Sequence, residues 1–241
     1  MIRRDFVARF RGSALGIVWA VLYPAALVAL YWAVFTVLMP RGPGAGDPGY
    51  SDFLITGLIP WLALNEALMR SMTSIVDNGP VVRKLALRSE LIVAVPTASA
   101  IALEVIALAL FAIVLIIRGQ APTMIWLLPF VIVIQIVLQL GVGWILAIIY
   151  VFFRDLAQIL GFILVVFFYL SPVLYRVNPA FERAFAWNPM TPLLGLYRSA
   201  LLSEALPAAS SIVFLLIVAS VLFIAGVSFF RREQGTLSDV I

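Results

Sequence analysis

The sequence predicts an all-α membrane protein, a polytopic bundle of six transmembrane helices, and three observations lead there. Hydrophobic residues make up 64% of the 241-residue chain against 12% charged, with a mean hydropathy of +1.12, far outside the soluble range. Several apolar runs reach the roughly 20 residues that carry a helix across about 30 Å of hydrocarbon. Those runs are continuous, not alternating, which excludes the strands of a membrane barrel. The complete absence of Cys and His removes disulfides, thiolate and imidazole metal sites, Cys nucleophiles and imidazole proton relays.

The chain begins with RDFVARFRGSALGIVWAVLYP, in which basic residues run directly into apolar sequence. Phe6, Val7, Phe10, Ala14 and Ile17 fall on one side of a helix, with Arg4, Arg9 and Arg11 mostly off it. Such a helix lies in the membrane interface. Its arginines either anchor the first span beside anionic headgroups or present guanidinium groups to a phosphate-bearing substrate. The first predicted span covers residues 17–39, longer than a signal-peptide apolar core and followed by no small-residue cleavage site. A Gly/Pro-rich turn region, PRGPGAGDPGYSD, leads to span two at 53–73.

Span two carries Glu66 and Arg70, four residues apart in the order that favours mutual neutralisation. After it, DNGPVVRKLALRSEL reads as a stop at Asn78 and Gly79, then a short amphipathic helix. Pro80 suits its first turn, and Val81, Val82 and Leu85 form an apolar patch beside Arg83, Lys84 and Arg88. That helix can rest on headgroups or dock in a partner's groove; its pattern serves both. Span three, 91–117, holds Glu104 with no partner in its own span, and such charges must face protein or water rather than lipid.

Spans four and five are predicted at 124–153 and 156–175. The segment from Arg176 to Pro207 is punctuated by prolines and too broken to span. Thr191–Pro192 reads as a helix start, with Leu193, Leu194, Tyr197, Ala200 and Leu201 as an apolar stripe. Short re-entrant or interfacial helices are expected here, framing the mouth of a pathway or packing as a lid. The last span is predicted at 212–230. Trp61, Trp126 and Trp144 lie near predicted span ends and read as interfacial belt residues. With the N-terminus inside, ten basic residues fall on the cytoplasmic side against five outside, so both termini are expected in the cytoplasm.

RDFVARFRGSALGIVWAVLYP, FLITGLIPW, NGPVVRKLALRSELIV, VFFRDLAQILGFILVVFFYLSPVLY and AWNPMTPLLGLYRSALL, in that order, resemble the permease subunits of ABC polysaccharide exporters of the type-2 class. The sequence is most similar to lipopolysaccharide O-antigen exporters, with capsular polysaccharide and teichoic acid exporters as neighbours. The resemblance implies a homodimer in the bacterial inner membrane, paired with two copies of an ATPase subunit and moving a polyprenyl-diphosphate-linked glycan to the periplasm. It implies that Pro80, Val81, Val82, Arg83, Lys84 and Leu85 form the ATPase-coupling helix and that Arg4, Arg9 and Arg11 stand at the lipid-diphosphate entrance. It places the periplasmic gate around Trp187, Asn188, Pro189, Tyr197 and Arg198.

No catalytic residue, metal site or cofactor is expected in this chain, ATP and magnesium belonging to the partner. Lys84, the only lysine, lacks the glycine frame of a phosphate-binding loop. A glycan path calls for flat aromatic faces, and Tyr23, Tyr31, Trp32, Phe35, Phe162, Phe168 and Tyr169 are candidates, against a role in helix contacts. Two other function classes stand beside the exporter: a proton-coupled transporter using Glu104, and a membrane enzyme acting on polyprenyl phosphates. The second would need clustered acids, whereas Asp77, Glu90 and Asp155 are scattered.

Overall fold

The computed structural model describes residues 49–79 and 89–240, with isolated positions between 18 and 34; for 235–240 and a few residues near 180 only the backbone is described. The N-terminal interface helix, nearly all of the first span, Arg4, Arg9, Arg11, Tyr23, Tyr31, Trp32, Phe35 and the segment from Pro80 to Leu85 lie outside the described residues.

The described regular structure is helical: α1 (Tyr50–Asp77), α2 (Ser89–Ile117), α3 (Leu128–Phe152, preceded by a 3-10 turn at Ile125–Leu127), α4 (Leu156–Leu170), α5 (Met190–Leu202) and α6 (Ala209–Val240). A single helical turn, Glu182–Phe185, precedes α5. Four of these stretches, Tyr50–Asp77, Ser89–Ile117, Ile125–Phe152 and Ala209–Gln234, are long and apolar enough to cross a membrane.

Polar contacts sort the ends of the bundle. At one end Asp52 meets Arg118 at 3.1 Å, Arg176 meets Glu204 at 3.0 Å, and the hydroxyls of Thr123 and Ser203 lie 2.8 Å apart. At the other, Arg231 pairs with Glu90 at 3.1 Å and the Trp144 indole donates to the Glu90 carbonyl at 3.2 Å. The helices therefore alternate direction, as short connections between successive spans require.

Sequence punctuation explains the helix ends. Asn78 closes α1, both its backbone and its side-chain amide donating to the Ser74 carbonyl. At the end of α2, Gly119 takes φ +78°. Its N–H bonds the Ile116 carbonyl while Gln120 N–H bonds that of Leu115, the paired closure in which glycine avoids a Cβ clash.

The fifth predicted span, 156–175, is cut short. The helix stops at Leu170 because Ser171 turns extended and Pro172 cannot donate to the helical ladder. Fifteen helical residues reach about 22 Å, less than the roughly 30 Å of hydrocarbon.

The core depends on close backbone approach. Gly143 of α3 sits against Ser71 of α1, whose hydroxyl donates to the Val93 carbonyl of α2 at 3.0 Å. Gly141 meets Gly226 where α3 crosses α6. Small residues at such crossings suit a bilayer, where dispersion contacts rather than water exclusion hold helices together.

Two of the three expected belt tryptophans are core residues. Trp61 is buried against Phe167 and Phe168 of α4. Trp144 is buried too, edge-on to Phe223, with its N–H satisfied by Glu90. An indole can fill a helix crossing once its single donor finds a carbonyl. Trp126, ahead of α3, is exposed.

Candidate functional site

α5 is the shortest of the six principal described helices, and its inner face is fully enclosed: Met190, Leu193, Leu194, Tyr197 and Ala200 are wholly buried. Its start differs from the Thr191 start expected from sequence. Asn188 is the capping side chain: its Oδ1 accepts the Met190 N–H at 2.8 Å, leaving the buried Thr191 hydroxyl without a partner. The Asn188 amide also reaches back to α4, donating to the Leu170 carbonyl at 3.0 Å and to Ser171 Oγ at 3.1 Å. Pro189 takes the helical backbone conformation that a first turn needs. Trp187 is exposed and edge-on to Phe214.

Arg198 is 5% exposed despite its charge. Its Nη2 donates to the Pro172 carbonyl at 2.7 Å and the Val173 carbonyl at 3.3 Å, and its guanidinium lies 3.5 Å over the Phe53 ring. Gly57 makes the room, since a Cβ there would be 2.9 Å from Nη2. The cation thus meets two carbonyls of the turn that follows the end of α4. The guanidinium stays charged here, as arginine does throughout proteins. Together Asn188 and Arg198 clamp the end of α4 to α5 and α1.

Above this clamp a cavity of about 380 Å³ opens between Asp52, Gln120, Arg176, Ser203 and Glu204. Arg176 also stacks over Phe53, at 4.6 Å.

The three intramembrane charges fall into two settings. Glu66 and Arg70 form the expected pair at 3.4 Å on a partly exposed face of α1. Glu104 is buried, and its partner comes from another helix: Gln135 of α3 donates from Nε2 to Glu104 Oε2 at 2.8 Å and to the Pro60 carbonyl at 3.3 Å. The Tyr197 hydroxyl of α5 is the other polar neighbour and interacts with the carboxylate. Glu104 lies 13 residues from either end of the predicted 91–117 span, about 20 Å at 1.5 Å per residue, so α5 reaches close to mid-bundle.

Sequence reasoning passed over Gln135 and Gln139. The signal was present: two amides one turn apart inside an apolar span must share a face, and both are wholly buried. The three described aromatics proposed for a glycan path separate. Phe168 packs on Trp61, while Phe162 and Tyr169 project outward, 71% and 63% exposed in this single chain. Most of α4 stands uncovered, with only Leu160 and Leu164 buried.

The ABC-2 type transporter family profile matches residues 1–202. The chain is 30% identical to the O-antigen export system permease protein RfbA of Myxococcus xanthus, over 97% of this chain and 92% of the relative. A protein of the same name from Klebsiella pneumoniae is 24% identical over 99% of this chain and 92% of the relative. The polysialic acid transport protein KpsM of Escherichia coli is 22% identical over 98% and 93%. Read with the four apolar helices, these matches lead to one conclusion: the chain belongs to the ABC-2 type transporter family and is a multi-pass membrane permease.

Proposed function

We propose that the chain is the transmembrane subunit of an ATP-driven exporter that moves a polyprenyl-diphosphate-linked O-antigen polysaccharide from cytoplasm to periplasm. The observation that carries this reading is the 30% identity to an O-antigen export permease over almost the whole of both chains. The permease works as a homodimer with two ATPase subunits, both termini in the cytoplasm, so the Glu90 end of the bundle faces inward and the Asp52 end outward. Six spans cross the bilayer, the fifth being α4 completed by the Ser171–Tyr175 turn, and α5 re-enters from the periplasm.

ATPase closure pushes on the segment from Pro80 to Leu85, while Arg4, Arg9 and Arg11 receive the diphosphate by bidentate contacts. The uncovered face of α4, including Phe162 and Tyr169, meets the partner protomer or the glycan. Aromatic faces suit this because they offer sugars contact without strong hydrogen-bond traps.

The test is a chromosomal deletion. Lipid-diphosphate-linked O-antigen should accumulate inside the cell and vanish from its surface, with recovery on re-expression; unchanged surface glycan would refute the reading. A second reading, capsular polysaccharide export, is favoured by the similarity to KpsM, and the chemical identity of the accumulated glycan decides between them. Export in Glu104→Gln should persist and follow ATP. Loss of transport in that variant together with dependence on the proton gradient would point instead to a proton-coupled carrier.

A further inference from the structure

At the Glu90 end of the bundle a second apolar core stands apart from the main one. Ile75 of α1, Val93 of α2, Trp144 and Ile148 of α3 and Phe230 of α6 are buried together there. Among the described residues, α4 and α5 contribute nothing to it. Glu90, in the first turn of α2, holds this block at two points. Its Oε1 accepts from Arg231 Nε of α6 at 3.1 Å, and its backbone carbonyl accepts from the Trp144 indole of α3 at 3.2 Å. α3 and α6 already form a pair, touching backbone to backbone at Gly141 and Gly226 and ring to ring at Trp144 and Phe223. One residue therefore joins the start of α2 to both members of that pair.

The position of this joint along the chain matters. α1 closes at Asn78 and α2 opens at Ser89, so the segment from Pro80 to Leu85 lies between two helices that are both packed into the inner core, at Ile75 and Val93. Glu90 is the first acidic residue after that segment. We propose that Glu90 is a positioning residue for transport, carrying a displacement of the Pro80–Leu85 segment from the start of α2 into the α3–α6 pair. This rests on the reading of that segment as the place where the ATPase acts. The strength of the link fits steering rather than stapling. The Glu90 side chain is 24% exposed and that of Arg231 65%, and ion pairs in such surroundings add little to stability. Together with the indole bond, the pair fixes how three helices stand to one another and re-forms readily when they slide.

The test uses the full chain with its ATPase partner, in cells and in lipid nanodiscs. Glu90→Ala and Arg231→Ala each remove one side of the ion pair, and Glu90→Arg combined with Arg231→Glu rebuilds it reversed. Each single variant should retain the ATPase and its ATP hydrolysis and melt near wild type, while surface glycan falls about tenfold, an ordinary size for a lost coupling. The reversed pair should recover export. Wild-type export in Glu90→Ala, a reversed pair as defective as the single variants, or export that falls only in step with the amount of complex would each overturn the proposal.

Helix movement has its own readout, independent of what is exported, because the chain has no native cysteine. Leu91→Cys on α2 and Arg232→Cys on α6 give exposed sites for nitroxide labels, and Arg232 pairs only within its own helix, with Glu233. In this labelled parent the separation of the two nitroxides should hold steady when ATP and vanadate are added, because the joint moves both helices together. In the same chain with Glu90→Ala it should change. A separation equally steady, or equally altered, in both backgrounds would overturn the positioning role while the ATPase stays bound. Failure of the wild-type chain to retain any ATPase would instead refute the reading of the Pro80–Leu85 segment, and the proposal with it.

Discussion

Gly141→Ala tests the packing on which the whole bundle depends. A Cβ at residue 141 would lie 2.5 Å from the Leu222 carbonyl carbon and 2.6 Å from both Leu222 O and Phe223 N. Non-bonded heavy atoms rest at about 3.5–4.0 Å, so α6 must retreat by about 1 Å. Every obstructing atom belongs to a helix backbone, so no rotamer change relieves the clash. Overpacking of this kind costs about 1–3 kcal/mol, and the rigidity of the obstacle puts it near the upper end. Alanine's better helix propensity returns up to about 1 kcal/mol, leaving a net loss of about 2 kcal/mol.

Gly161→Ala on α4 is the matched control, because nothing lies within 4 Å of its would-be Cβ. Thermal unfolding of the purified variants in one detergent should place Gly141→Ala clearly below wild type and Gly161→Ala at or above it. A Cβ at Gly226 would strike the carbonyl of Gly141, so Gly141→Ala combined with Gly226→Ala should lose less than the sum of the two. Equal melting temperatures for Gly141→Ala and Gly161→Ala would refute the reasoning.

Three further perturbations probe separate parts of the protein. Arg198→Lys keeps the charge but loses the planar fork and its stacking on Phe53, and should cost about 2 kcal/mol in the same melting assay; a stability equal to wild type would show that the clamp on α4 is unimportant. Replacing Val82 and Leu85 with Asp should release the ATPase while the permease still inserts, read by co-purification, and unaltered co-purification would remove the coupling role. Arg9→Gln with Arg11→Gln should leave insertion intact and reduce export if these side chains receive a diphosphate; defective insertion would assign them to anchoring instead.

Much of this protein was legible one residue at a time. Apolar runs long enough for hydrocarbon marked the described spans, because in lipid every backbone group must be satisfied within its own helix. Asn78 ended α1 as its side chain suggested, and Glu66 found Arg70 because a four-residue spacing fixes that contact within one helix. Where a partner comes from elsewhere, spacing is silent. Glu104 had none in its own helix, and that Gln135 and Tyr197 converge on it follows from the order in which helices pack.

Arg198 makes the same point at the outer end. The resemblance placed it at the periplasmic gate without saying what it touches, and the structure buries it, because two carbonyls of the turn after α4 and the ring of Phe53 together replace its water. Trp61 and Trp144 turned inward for a related reason, since each found enough neighbouring surface, and Trp144 a carbonyl for its N–H, to leave the interface. Hydropathy and local spacing thus decide membrane class, helix positions and family membership, which depend on solvent and on neighbours in the chain. Which polar groups are buried, and what satisfies them, is decided when separate helices meet, because desolvation and hydrogen bonding depend on who stands opposite.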